Sequence, residues 1–213
     1  MGRETVRRLW REENLRVSPR RKPKPRQPHK NPPFQVKAER PGHVWALDFQ
    51  FDSDINGRAI KICNVLDEFT REHVGYLVDR FITARQVSEL LDVISLERGR
   101  PLVLRMDNGP EFVSERLKQW CKESNTMQAF IPPGQPWKNG YVESFHNRMR
   151  DELLVEEIFD SPTHADQAIK AWSHRYNHYH PHSALGALTP AEYAAQWANN
   201  QPTPTLTTNT PKN

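Results

Sequence analysis

The 213-residue chain is 36% hydrophobic and 26% charged, a length for one domain of about 100–200 residues plus appendages, and no apolar run approaches the roughly 20 residues of a membrane span. Residues 1–10 carry charges throughout, so no secretory signal is expected, and two distant cysteines, Cys63 and Cys121, exclude a disulfide framework or a CxxC metal knuckle and suggest a reducing, cytoplasmic setting. The net charge of +4 hides an asymmetry, because residues 1–40 hold 13 Lys/Arg against 4 Asp/Glu while the remainder holds 17 against 22, and such a basic arm points to a polyanionic partner.

In chain order, Val6, Leu9 and Trp10 fall at i, i+3 and i+4, the spacing of a short helix over 1–16. Seven prolines then alternate with Lys and Arg over 17–41, which reads as an extended basic arm, since proline neither extends a helix nor donates to a ladder. Arg20, Arg21, Lys22, Lys24 and Arg26 of this arm are candidates for phosphate contacts. Residues 44–52 alternate, with Trp45, Leu47, Phe49 and Phe51 on one face and Val44, Ala46, Asp48 and Gln50 on the other, so they read as a strand. Asn56-Gly57 marks a hairpin, and 58–67 and 72–80 complete a meander of three strands. A helix is expected over 83–98, ended by Gly99-Arg100-Pro101, and a central parallel strand over 102–106. After the turn Asn108-Gly109-Pro110, a helix over 111–123 should turn Phe112, Leu117, Trp120 and Cys121 inward. A fifth strand is expected over 126–131, then a loop, then helices over 140–154, 163–179 and 190–197, the last opened by Thr189-Pro190. From Asn199 the composition of Thr, Pro and Asn suggests a disordered tail. The order βββ-α-β-α-β-α followed by helices implies an α/β fold, a mixed five-stranded sheet with helices on its faces.

Three carboxylates stand out. Asp48 interrupts an otherwise apolar strand; such a residue either faces solvent at an edge, pairs with a cation in the core, or binds a metal. Asp107 closes an apolar strand before a turn, and ligands gather at the carboxyl ends of strands in open α/β sheets, although Asp-Asn-Gly also suits a plain turn. Glu143 begins a polar stripe on the 140–154 helix that continues through His146, Asn147 and Arg150, beside an apolar stripe of Val142, Phe145, Met149 and Leu153. Taken singly, each has a bland reading. Together they could hold two Mg²⁺ ions roughly 4 Å apart for phosphoryl transfer, a reaction that needs positioning and charge more than a protein nucleophile.

The strings WALDF, RMDNGPEF, PPGQPWKNGYVESFHNRMRDEL and YNHYHPHSALGALTPAEY, with 35 residues between Asp107 and Glu143, resemble one family. It is the retroviral-integrase superfamily of DDE transposases, in particular the second-frame product of insertion sequences of family three, and the likeness covers about residues 1–196. The resemblance implies a ribonuclease-H-like fold with Asp48, Asp107 and Glu143 as catalytic metal ligands for Mg²⁺, which Mn²⁺ can replace. It implies cleavage at the terminal inverted repeats of an element and transfer of the 3′-OH into target DNA, by a multimer on DNA, in the bacterial cytoplasm at the nucleoid. Arg150 holds the family's basic place seven residues after the glutamate, suited to a DNA phosphate. Asn108, Lys138, Asn139 and His146 match motif positions along the site and the DNA path. The implied organisation is a basic arm over 1–40, an integrase catalytic core over 41–160, a helical extension over 161–198 and a tail over 199–213. Residues 3–16 resemble only the end of the family's helical DNA-binding region, so a first-frame product or frameshift fusion is the expected reader of the inverted repeats. The alternative is a truncated, non-catalytic DNA-binding regulator of the full-length transposase.

Other constellations are weaker. His174, His178, His180 and His182 could suggest zinc, but they lack the glutamate of HExxH and a nearby cysteine pair, so packing or DNA contact is the expected role. Trp137 could stack on a splayed base, and Arg105 reads as a structural charge partner. The chain has no P-loop and no GxGxxG, so neither ATP nor a dinucleotide is implied.

Overall fold

The computed structural model describes residues 36–131 and 140–200. The short helix and basic arm expected over 1–35, the loop over 132–139 and the tail over 201–213 lie outside the described residues.

Strands β1 (Val44–Ser53), β2 (Ala59–Asp67) and β3 (His73–Asp79) form the meander; helix α1 (Ala84–Arg98), strand β4 (Val103–Met106), helix α2 (Glu115–Glu123) and strand β5 (Met127–Phe130) follow. Helix α3 (Gly140–Met149) runs into a π-helical turn over Arg150–Leu154, and α4 (Pro162–Tyr179) and α5 (Pro190–Asn199) follow as the last of the described elements, with a 3₁₀ turn over Ser183–Leu185 between them. The sheet order is β3-β2-β1-β4-β5. β1 is therefore the middle strand, antiparallel to β2 and parallel to β4. Gly57, at φ 71°, takes the left-handed backbone that the β1–β2 hairpin requires.

Because side chains alternate along a strand, β1 feeds two cores. Trp45 and Leu47 join Cys63, Val65, Leu104 and Met106 under α1 and α2. Ala46 joins Ile60, Ile62 and Leu66 under α3, the π turn and α4, whose Phe145, Met149, Leu153, Ile169 and Trp172 fill the second core. Helical cover on both faces explains why adjacent residues of β1, Val44 to Leu47, are all buried. The first turns are fixed locally. Thr83 and Thr189 each make a reciprocal capping box, with Gln86 and Glu192 respectively.

Phe51 lies on the same face as Phe49, as the alternation implies, with the two rings 6.4 Å apart, and it is 61% exposed near the hairpin end of β1. Three expectations need correction. Helix α2 begins at Glu115, not at residue 111: the Ser114 hydroxyl accepts from Leu117 N, and Phe112 N and Val113 N bond to Gly109 O in a tight turn. Phe112 is nonetheless buried as expected. The helix expected over 140–154 changes to a π turn at Arg150, closed by Val155 N to Arg150 O, and Glu152 in that turn accepts from Trp172 Nε1 of α4 at 3.0 Å. Finally, Asn199, the residue from which a tail is expected, still belongs to α5. Among the described residues no helix is long and apolar enough to cross a membrane.

Candidate active site

The three carboxylates come from the central strand, from the end of its parallel neighbour and from a helix packed over the sheet. Asp48 lies mid-β1, opposite Asn64 of β2. Asp107 follows the last residue of β4, the parallel neighbour of β1. Glu143 is in the first turn of α3, which packs on the β1 side of the sheet through Val142 and Phe145.

Asp48 is 25% exposed at its side chain, and its Oδ1 accepts from Phe49 N at 2.8 Å. Burial pushes its carboxyl up to about 6; the Phe49 amide opposes this, and the negative charges of Asp107 and Glu143 add to it. The two other carboxylates thus act on Asp48 through space. Asp107 is exposed, with Oδ1 accepting from Gly109 N at 2.9 Å, so the Asp-Asn-Gly turn and the carboxylate are one device. Among the described residues no three His, Cys, Asp or Glu side chains already converge closely enough to hold a metal ion. The donor set still fits a hard divalent cation: it is all oxygen, and its innermost member is partly desolvated beside two like charges that a cation would relieve.

His146, one turn after Glu143 on α3, faces inward. Its side chain is 13% exposed, its Nδ1 lies 3.8 Å from Asp48 Oδ2, and Asn64 Nδ2 donates to its Nε2 at 3.1 Å. Burial and then the charge of Arg150 hold the imidazole down at about 4, so it is neutral at pH 7. Gln50 of β1 ties its Nε2 to the His146 carbonyl, fixing α3 to the strand that carries Asp48. Arg150 is exposed at the start of the π turn. Asn108 uses its Nδ2 to bond Ile131 O at 2.9 Å and so holds the end of β5.

Lys138, Asn139 and Trp137, and the arm cations Arg20, Arg21, Lys22, Lys24 and Arg26, lie outside the described residues. Arg105 is a structural charge partner as expected, and its partner is Glu68, at 2.5 Å, with Val36 O as a second acceptor. Among the histidines, the rings of His174 and His178 lie 4.6 Å apart on α4, and His180 Nδ1 lies 3.3 Å from Glu152 Oε2.

Sequence reasoning missed two neighbours of the site. Asn64 supports His146 from β2. Lys61, also on β2, pairs with Glu111 at 2.5 Å while its ammonium lies 3.8 Å from the Phe49 ring centroid. The available signal was a cation and an amide inside the apolar run IKICNVL.

Two models described as integrase core domain match the chain, one over residues 38–136 and the other over 124–190. A protein of insertion element IS476 from Xanthomonas euvesicatoria is 39% identical over 194 residues, covering 91% of this chain and 56% of that protein. The transposase of insertion sequence element IS904 from Lactococcus lactis is 26% identical over 160 residues, covering 74% of this chain and 63% of that protein. The chain spans about half the length of the first curated relatives it matches. The catalytic core domain of HTLV-2 integrase, in complex with magnesium, superposes with a TM-score of 0.59 at 22% identity, over 74% of this chain and 99% of that one. That likeness establishes the ribonuclease-H-like integrase fold expected from the sequence. With the core models running from 38 to 190 and insertion-element proteins as its relatives, the chain belongs to the integrase-core family, on the side of the family-three insertion-element transposases.

Proposed function

We propose that this chain carries the catalytic core of a DNA transposase, a metal-dependent polynucleotidyl transferase that cuts at element ends and joins the 3′-OH to target DNA. The observation that supports the reading is the placement of three acids: Asp48 on the central strand β1, Asp107 just after the end of its parallel neighbour β4, and Glu143 on α3, which packs over β1. Membership of the integrase-core family supports the same assignment.

In this reading Asp48, Asp107 and Glu143 offer the oxygens that hold Mg²⁺, or Mn²⁺ in its place, as two ions. Bound there, the cation supplies Lewis-acid activation of the attacking oxygen and charge relief at the departing one. The protein's own work is orientation. His146, neutral and backed by Asn64, keeps Asp48 from turning away. The Gly109 amide fixes Asp107, and Asn108 anchors the turn to β5. Arg150, with Lys138, Asn139 and the arm cations, meets DNA phosphates, where guanidinium groups can bind two oxygens at once. The enzyme works in the bacterial cytoplasm as a multimer on DNA, with a first-frame product or fusion supplying recognition of the inverted repeats.

The test is disintegration, the rejoining of a branched DNA substrate in Mn²⁺, which needs little recognition of element ends. The chain should release the joined product, and Asp107→Asn should abolish it while DNA binding, read by mobility shift, stays within about threefold. Joining retained in Asp107→Asn would sink the triad assignment.

A further inference from the structure

The turn that carries Asp107 has an acid of its own. Glu111 and Asp107 both face Gly109: a Cβ placed on that glycine would lie 3.0 Å from Asp107 Oδ1 and 3.6 Å from Glu111 Oε2. A further carboxylate therefore stands beside Asp107. Lys61, reaching from β2, meets it at 2.5 Å, with the lysine and glutamate side chains 14% and 19% exposed. The same ammonium lies 3.8 Å from the centroid of the Phe49 ring, close enough for a cation–π attraction. Phe49 follows Asp48, gives it a backbone hydrogen bond, and stacks at 4.7 Å and 11° on Phe112, the residue after Glu111. Lys61 thus touches both the strand of Asp48 and the turn of Asp107, across 50 residues of sequence.

Resting on the transposase-core reading above, we infer that Lys61 is a positioning residue of the active site: it locks the Asp107 turn through Glu111 and cancels the charge of a further carboxylate beside Asp107. Without Lys61, Glu111 is a mobile anion next to Asp107. It raises the negative charge of the site and competes with Asp107 for the cation, so metal binding should strengthen while DNA joining weakens. A pair that served stability alone would not move these two quantities in opposite directions.

The experiment uses the 213-residue chain with Lys61→Met, Lys61→Arg, Glu111→Gln and the double variant Lys61→Met/Glu111→Gln. Three quantities are read: amide hydrogen exchange of residues 107–112, Mn²⁺ affinity by calorimetric titration, and disintegration rate. Lys61→Met should speed exchange over 107–112 without speeding it in β1 or β2, and should lower the joining rate about tenfold, the usual scale for a residue supporting a metal ligand. It should also tighten Mn²⁺ by about threefold, as expected for one uncompensated charge several ångström away in a wet site. Lys61→Arg should recover most of the loss, and the double variant should return Mn²⁺ affinity toward that of the parent. Glu111→Gln, which leaves a cation unpaired, should weaken Mn²⁺; this arm carries the comparison if Lys61→Met fails to fold. Unchanged exchange over 107–112 in Lys61→Met, or unchanged Mn²⁺ affinity in Glu111→Gln, would overturn the role. A parent chain that neither joins DNA nor binds Mn²⁺ would overturn the transposase reading instead, and the exchange data would still decide whether Lys61 locks the turn.

Discussion

His73 shows what burial does to a single side chain. It sits at the start of β3, fully enclosed, with Nδ1 bonded to Ser173 Oγ at 2.8 Å and its backbone clamped in both directions by the Asn177 amide. The rings of Tyr76 and Phe145 flank it, and Nε2 is buried without a partner. Burial, and then the nearby His146, hold the imidazole down at about 3 against an ordinary 6.5. The folded state therefore refuses a proton that the unfolded chain accepts below about pH 6.5, so folding loses stability as pH falls from there toward 3, at up to about 1.4 kcal/mol per pH unit. Asp48 works in the opposite sense. Its raised pKa makes the folded state the better proton binder between 3.8 and about 6, so the chain as a whole reports the balance of the two. The clean measurement is a difference: urea midpoints of the parent and His73→Gln from pH 7 to pH 4.5. The parent should lose stability more steeply than the variant, whose amide can still meet Ser173. Parallel curves would show that His73 does not bear the acid sensitivity. Nothing in the sequence around His73 signals this role. Its enclosure arises from α4, 100 residues further on.

At the scale of elements, the packing of α1 on β3 depends on Gly75. A Cβ there would lie 2.7 Å from Ile94 Cγ1 and closer still to Cδ1, and Ile94 is itself buried in the first core. Gly75→Ala should therefore destabilise the fold by about 1–3 kcal/mol in urea denaturation, and Ile94→Val in the same chain should return part of it. An alanine variant as stable as the parent would mean that α1 shifts freely on the sheet. The elements themselves were legible. The alternation over 44–52 marks the strand, and the stripe Val142, Phe145, Met149, Leu153 marks the buried face of α3 and the π turn, because periodicity records burial directly. What periodicity cannot carry is a backbone choice made by a distant partner. The π turn coincides with the bond from Trp172 to Glu152, and the late start of α2 follows from Ser114 and the Gly109 carbonyl claiming the amides first. Asp48, Asp107 and Glu143 were legible as candidates for a different reason: they stand in contiguous motif strings. Lys61 and Glu111 were not, because neither string names the other.

Across the whole molecule the sheet order decides which sequence-distant strands carry acids side by side. β1 lies between β2 and β4, so Asp48 can face Asn64 on one side and the end of β4, with Asp107, on the other, while α3 lays Glu143 and His146 over the same strand. The result is an acidic site on a body whose residues 41–213 carry 17 Lys/Arg against 22 Asp/Glu. DNA is repelled by such a surface except where cations or metal ions offset it. The arm over residues 1–40, with 13 Lys/Arg against 4 Asp/Glu, is the part of the sequence with a net excess of cations. Each phosphate that a cation neutralises releases a counterion, so affinity falls with salt at a slope set by the number of such contacts, about 0.9 per phosphate on duplex DNA. Deleting residues 1–37 should thus weaken binding to any duplex and flatten the plot of log affinity against log salt by several units, while the melting temperature of the remaining body changes little. Binding isotherms between about 50 and 200 mM salt decide it. An unchanged slope would assign the phosphate contacts to the body itself, to Arg150 and the cations around α3, and would make the acidic surface rather than the arm the face that meets DNA.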